Sequence, residues 1–297
     1  MKQTKTRRAP GIARKSIAFQ GVQGAFSDIA CRALYPGYQT VPCPAFEDAF
    51  RAVSSGRVAL AMIPVDNTLA GRVADVHRLM PLGKVFIIGE YFLPVHHHLL
   101  GLPGARIKDL KYVHSHVHAL PQCSKIIRTL GLKPQVHANT AGAAQDVARL
   151  GDKAHAAIAS ELAAETYGLK ILQRNVEDAQ HNTTRFLILA RSPKIPARSK
   201  NNKVITSLLF EVRNIPAALY KSLGGFATNG LSLAKLESYV DAKFQAARFY
   251  CEVEGHPESR AYQLALEELE FYAKNIKFLG AYPAHPFRKT YTGKDGH

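Results

Sequence analysis

Cysteine is sparse in this 297-residue chain, and no long apolar run interrupts it. Cys31, Cys43, Cys123 and Cys251 lie far apart, with no C-x-x-C spacing among them. This removes the usual sequence signs of a zinc or redox centre and favours a reduced, cytoplasmic compartment. A membrane span needs about eighteen apolar residues in a row, and none exists. Acids are missing from residues 1–15, where Lys2, Lys5, Arg7, Arg8, Arg14 and Lys15 gather. Without an apolar core that segment is no secretory signal, and it is expected to be a disordered basic extension.

What is present suits a globular protein of two domains, with 46% hydrophobic residues to build a core in each. Lys and Arg number 39 against 23 Asp and Glu, a formal charge of +16. Such a balance admits nucleic acid, a membrane surface or an anionic small molecule as partner. Much of the excess is scattered, and no helix-turn-helix, zinc-finger or aromatic RNA platform is visible, so neither nucleic acid nor membrane is expected.

Over residues 16–192 short apolar runs ("SIAFQ", "VALAMIPV", "VFIIGEYFLPV", "LKYVHSH", "HAAIAS", "RFLILA") alternate with stretches of helical spacing such as "FEDAFRAVSSG" and "TAGAAQDVARLG". That alternation implies a largely parallel α/β sheet. Residues 193–202, "PKIPARSKNN", read as a linker. Residues 203–288 then spell strand, helix, strand, strand, helix, strand: the ferredoxin-like βαββαβ order, followed by a tail over 289–297. In this half "NIPAALYKSLGGF" predicts a helix with Pro216 in its first turn, and a longer helix is predicted over 258–275. "ARFYCEVEG" alternates, with Phe249, Cys251 and Val253 on one face and Arg248, Tyr250, Glu252 and Glu254 on the other.

Polar residues collect where strands meet helices. "GVQGAFS" sets Gly21 and Gly24 after a strand and Ser27 near a helix start, a cradle for a carboxylate or phosphate, although a tight turn explains it equally well. "IPVDNTLAG" brings Asp66, Asn67 and Thr68, and "VHSHVHALPQC" brings Ser115 and Gln122. In "NTAGAA", Asn139 and Thr140 are explained by helix capping alone. "NTTRF" places Thr183, Thr184 and Arg185 at the mouth of the strand 186–190. His96–98 are consecutive, and His114, His116 and His118 alternate. No carboxylate-histidine pattern accompanies either group, so no metal is expected.

The ordered series "GVQGAFS", "IPVDNTLAG", "LPVHHHLL", "VHSHVHALPQC", "NTAGAA", "AAIASELAAETYGL" and "NTTRF" resembles the prephenate dehydratase family of bacterial type, including its C-terminal ACT regulatory domain. The resemblance implies a two-lobed, periplasmic-binding-protein-like catalytic domain followed by the ferredoxin-like ACT domain. It also implies loss of carbon dioxide and hydroxide from prephenate to give phenylpyruvate in phenylalanine biosynthesis, without a cofactor. Aromatisation drives that step, so the protein needs to hold a dianion and assist departure of the hydroxyl rather than supply a strong base.

On the same footing Thr184, Arg185, Asn67, Ser115 and Gln122 are the expected catalytic residues. Thr184 would contact the leaving group, and Arg185 would either grip a carboxylate or hold an ion pair at the strand mouth. Ser27, Thr68, Thr140, Thr183 and Phe186 are expected to bind substrate. Phenylalanine is the expected effector, bound between subunits of a homodimer or homotetramer through Asn214, Ala218, Leu219, Glu237 and Ser238. The chain departs from the family pattern at several points. Asp66 stands where glutamate is frequent, "SHVHAL" replaces "SHPQAL", Ala217 stands in "PAAL" where glycine is frequent, and "ESYV" lacks the usual arginine. Arogenate dehydration, or an amino-acid sensor without catalysis, are the alternatives.

Overall fold

The computed structural model describes residues 13–199, 203–240 and 246–290. Two compact units emerge, one of residues 1–82 and 91–186, the other of residues 83–90 and 187–297. Most of the expected basic extension falls outside the described residues, and the first strand already begins at Ala13.

The first unit opens with β1 (Ala13–Gln20), α1 (Phe26–Leu34), β2 (Gln39–Cys43), α2 (Phe46–Ser54), β3 (Val58–Asn67), the two-residue β4 (Gly71–Arg72), α3 (Ala74–Leu79) and β5 (Phe86–Pro94). It continues with β6 (His98–Gly101), β7 (Tyr112–His116), α4 (Ala119–Gln122), α5 (Ser124–Thr129), β8 (Lys133–His137), α6 (Thr140–Leu150), β9 (His155–Ala159), α7 (Glu161–Tyr167), β10 (Lys170–Gln173) and β11 (Thr183–Ala190). β5 and β11 each run on into the second unit.

Two sheets give this unit two lobes, ordered β2-β1-β3-β11-β5 and β10-β6-β9-β7-β8. β1 pairs in parallel with β2 and β3, and β7 with β8 and β9, as alternation with helices requires. β6 instead runs antiparallel to β9 and β10, because it reaches its sheet directly from β5 without a crossover helix. The second lobe's sheet is therefore mixed. α6 shows how the local sequence sets its own limits. Asn139 caps it by accepting from the Gly142 N–H, Ala141, Ala143, Ala144 and Val147 bury one face, and Gly151 at φ +72° ends it. Gly24 (φ +82°) joins the lobes, since a Cβ there would lie 2.8 Å from the Ala163 Cα, and Ser160 Oγ donates to the Gly24 carbonyl.

The second unit holds β12 (Val204–Val212), α8 (Ala218–Thr228), β13 (Leu233–Val240), β14 (Ala246–Glu254), α9 (Arg260–Tyr272), β15 (Ala273–Pro283) and α10 (Phe287–Thr290). Its antiparallel sheet, ordered β13-β14-β12-β15, is the ferredoxin-like arrangement. Phe210, Phe226, Phe249, Cys251, Val253, Tyr262 and Leu269 form its core. Burial of each large side chain contributes about 1.5–3 kcal/mol. Helix α9 stops at Tyr272, short of the expected 275, because Ala273 and Asn275 pair with Val212 and Glu211 of β12.

Strand β14 alternates as expected, yet the middle of its polar face is buried too, while Arg248 stays exposed. Tyr250 is 2% exposed and Glu252 fully buried. Arg288 explains this: it holds Glu90 by two hydrogen bonds (2.7 and 2.8 Å) and Glu252 by a third (2.8 Å), while Tyr250 donates to Glu252 (2.6 Å). Gly280 on β15, at φ +150°, lets that strand approach Ile87 so closely that a Cβ would overlap its carbonyl.

Helix α8 begins at Ala218, two residues past Pro216, because Ala217 interrupts it at φ 57°, ψ 28°. A left-handed non-glycine residue costs about 1–2 kcal/mol, of which about 0.4–1 returns through the stiffer unfolded chain. Ala217→Gly is therefore expected to raise the stability of the four-stranded unit by up to about 1 kcal/mol. Urea unfolding would show it, and a destabilised variant would contradict the assigned strain.

Candidate active site

A cavity of about 630 Å³ opens within the first unit, lined from both lobes. The first lobe contributes Ser27 at the start of α1, Asn67 at the end of β3, and Thr184 and Phe186 on β11; the second contributes His116, His118, Gln122, Asn139 and Thr140. His97 and Asn182, in the chain segments joining the lobes, complete the polar wall.

One chain of hydrogen bonds orders these groups. Asn67 ends β3, and its side-chain oxygen accepts from the Leu69 and Ala70 N–H groups at 2.9 and 2.8 Å. Its amide nitrogen must then face the cavity, where it donates to Asn182 Oδ1 (2.7 Å) and Thr184 Oγ1 (2.9 Å). Asn182 passes the polarity on by donating to Gln122 Oε1 (2.9 Å). Gln122 is left with its amide nitrogen as donor, and Thr184, having accepted from Asn67, with its hydroxyl proton.

His97 Nε2 stands 3.3 Å from the same Gln122 oxygen, an acceptor, so the ring carries its proton on Nε2. Burial holds its pKa below the ordinary histidine value. Its ring meets Phe26 edge-on at 5.4 Å. The wall built by these residues is neutral and rich in donors.

Alternation along β11 separates the "TTR" motif. Thr184 and Phe186 face the cavity, whereas Arg185 points away: Nη1 lies 3.6 Å from Asp66 Oδ2, and the guanidinium sits 5.9 Å from the Phe92 ring centroid. Of the two readings of Arg185, the ion pair is the one this geometry shows, and a carboxylate grip inside the cavity is not. Thr183 also lies off the cavity. Its N–H donates to Thr68 Oγ1 (3.0 Å), which donates in turn to the His181 carbonyl (2.8 Å), so Thr68 and Thr183 clamp the β3 loop to β11. Ser115 is fully buried, its hydroxyl donating to the Ile158 carbonyl at 2.6 Å, because the alternation of β7 turns it toward β9 and the core.

The cavity thus gathers Asn67, Gln122, Thr184, Ser27, Thr140 and Phe186 of the expected residues, and leaves out Arg185, Ser115, Thr68 and Thr183. Sequence reasoning passed over His97 and Asn182. Asn182 directly precedes the two threonines, and an amide beside a strand entry was the available signal; His97 was hidden inside a run weighed only for metal. His114 spends both nitrogens on His137 (2.8 Å) and His155 (2.7 Å). Burial pushes its pKa down to about 4. Among the described residues no three His, Cys, Asp or Glu side chains form a group that could hold a metal ion.

In the second unit, Asn214 is exposed before α8, Ala218 and Leu219 pack into the core, Glu237 on β13 faces Lys235 at 3.4 Å, and Ser238 is exposed. β14 stands between β13 and β12, so Glu237 and Ser238 lie two strand spacings, about 10 Å, from β12, the strand that leads to Asn214.

Fold and cavity define a two-lobed α/β protein with a cavity between its lobes walled in part by neutral donors, and with a ferredoxin-like domain. A family model for prephenate dehydratase matches residues 17–194. The bifunctional N-acyl-homoserine lactone acylase/prephenate dehydratase of Komagataeibacter europaeus is 50% identical over 275 residues, 92% of this chain and 97% of its own. The chloroplastic arogenate dehydratase/prephenate dehydratase 1 of Arabidopsis thaliana is 39% identical over 282 residues, 90% of this chain and 71% of its own. The crystal structure of prephenate dehydratase from Arthrobacter aurescens in complex with L-Phe matches with a TM-score of 0.82 at 27% identity, covering 91% of this chain and 92% of that one. The chain belongs to the prephenate dehydratase family.

Removing a preorganised donor costs about 10²–10³ in rate. Thr184→Val is expected to lower kcat by about that factor with the fold intact by circular dichroism, while Thr184→Ser keeps most activity. Equal kcat for Thr184→Val and the unaltered protein would remove the hydroxyl from the reaction.

Proposed function

We propose that the protein is a lyase that converts prephenate to phenylpyruvate, with residues 16–192 as the catalytic domain. The observation that carries the reading is the orientation of Thr184: fixed as an acceptor toward Asn67, its hydroxyl has a proton to donate to the departing ring hydroxyl. The electron pair of the breaking carbon–carbon bond enters the ring, carbon dioxide leaves, and the ring expels hydroxide, which takes a proton and departs as water. A threonine hydroxyl is a poor acid, so Thr184 contributes hydrogen-bond stabilisation as charge builds on the leaving oxygen. Gln122 offers a second neutral donor, and Phe186 packs beside the ring. Arg185, through Asp66 next to Asn67, keeps β3 and β11 in position.

Residues 203–288 are proposed as an ACT regulatory domain that takes phenylalanine, the ligand named for the Arthrobacter relative. The separation of Asn214 from Glu237 and Ser238 favours a site completed by a second copy, hence a homodimer or homotetramer. Residues 193–202 serve as the linker; of the expected extensions 1–15 and 289–297, residues 13–15 belong to β1 and 289–290 to α10. Four buried free thiols suit a reducing, cytoplasmic setting.

Two further activities bear testing. Arogenate would need a carboxylate near its amino group; Asp66 pairs with Arg185, and Asp75 is the acid that lines the cavity. The Komagataeibacter relative carries N-acyl-homoserine lactone acylase in its name. Phe26, Phe46, Pro64, Val73 and Ala74 give the cavity here an apolar side, which favours testing an acyl-homoserine lactone separately.

Purified protein offered prephenate and arogenate side by side, with and without phenylalanine, is expected to turn over prephenate faster and to slow when phenylalanine is added. Absence of turnover of either by folded protein would replace the enzyme reading with that of a sensor.

A further inference from the structure

The amide chain from Asn67 to Gln122 is neutral, whereas the substrate it would serve carries two carboxylates. Arg185 does not meet them, being held against Asp66 outside the cavity. Arg72 of β4 brings one fixed positive charge to the cavity, and the second lobe supplies a place for another.

After His116 the chain leaves β7, and His118 folds back so that the two imidazoles lie 5.1 Å apart, tilted by 58°. The His118 N–H donates to His116 Nδ1 at 3.4 Å, which leaves His116 Nε2 to carry a proton. Both rings line the cavity, as does Thr140 in the first turn of α6. The partial positive charge of that helix start favours an anion in the same cavity, and Asn139 is already spent on capping it. The charged and titratable groups that share the cavity with the pair are Arg72 of β4, Asp75 of α3 and His97 beyond β5.

We infer that His116 and His118 form a subsite for the side-chain carboxylate, the one that phenylpyruvate retains, and that one imidazolium proton is taken up there when the ligand binds. The inference rests on the dehydratase reading and adds a residue pair that sets substrate affinity. Two imidazoles at this distance resist double protonation, and burial together with His118 holds the His116 pKa below its ordinary value. A carboxylate between the rings reverses that balance for one proton. Affinity and proton uptake are then linked: binding is tightest below the lowered pKa of the free site and weakens as pH rises through the raised pKa of the complex. The subsite acts on binding of substrate and transition state alike, so its signature belongs in KM.

KM and kcat for prephenate are to be measured from pH 5.5 to 8.5 at fixed ionic strength, for the unaltered protein, His118→Gln and His118→Lys. KM of the unaltered protein is expected to rise about tenfold across the range. His118→Gln should sit near the high value at every pH, and His118→Lys near the low value up to pH 8. An unchanged KM slope in His118→Gln would overturn the assignment. Calorimetric titration with phenylpyruvate in two buffers of different ionisation enthalpy separates this claim from the dehydratase reading. Proton uptake that disappears in His118→Gln supports the subsite even if prephenate is not turned over, a result that would sink the dehydratase reading alone. No proton uptake by the unaltered protein would sink the subsite.

Discussion

The site depends on two backbone N–H groups. By donating to the Asn67 carboxamide oxygen, Leu69 and Ala70 decide which end of that side chain faces the cavity, and every later bond inherits the choice. Asn182 must accept and then donate, Gln122 must accept through its oxygen, and Thr184 must offer its proton outward. Reversal of any one amide would set donor against donor or acceptor against acceptor in a partly buried place, where an unmade hydrogen bond costs about 1–3 kcal/mol. Fixed dipoles of this kind act without reorganising during the reaction, which suits a step whose driving force comes from aromatisation.

The same logic explains why the two lobes are tied so closely. Asn67 and Thr184 come from one sheet and Gln122 from the start of the helical segment after β7, so the chain of bonds crosses from lobe to lobe. Gly24 packs directly on α7, and the clamp of Thr68 on Thr183 and His181 holds the β3 loop against β11. These contacts keep donors and acceptors within hydrogen-bond reach before any ligand arrives.

Period and punctuation were enough to read the βαββαβ order of the second unit, the two grammars of the chain and the apolar face of β14, but not the short strands β2, β6, β8 and β10. The face of a polar residue was harder. With the last strand of the first unit read as starting at Phe186, Thr183, Thr184 and Arg185 looked like one cluster at its mouth. The strand starts at Thr183, and alternation then sends Thr184 to the cavity and Arg185 to Asp66. Ser115 fails the same way, since β7 turns it to the core with Val113. The second face of β14 was illegible because the residues that cover it, Glu90 and Arg288, lie far away in sequence. Ala217 could be suspected from its neighbours, but its left-handed backbone appears only in three dimensions.

The central claim is that Thr184 works because the amide chain aims it. A double-mutant cycle on kcat with Asn182→Ala, Thr184→Val and the pair measures that dependence directly. The account predicts strong non-additivity, with the double variant little worse than Thr184→Val alone and a coupling of about 1 kcal/mol or more. Additive losses would show that Asn182 and Thr184 act independently, and would contradict it.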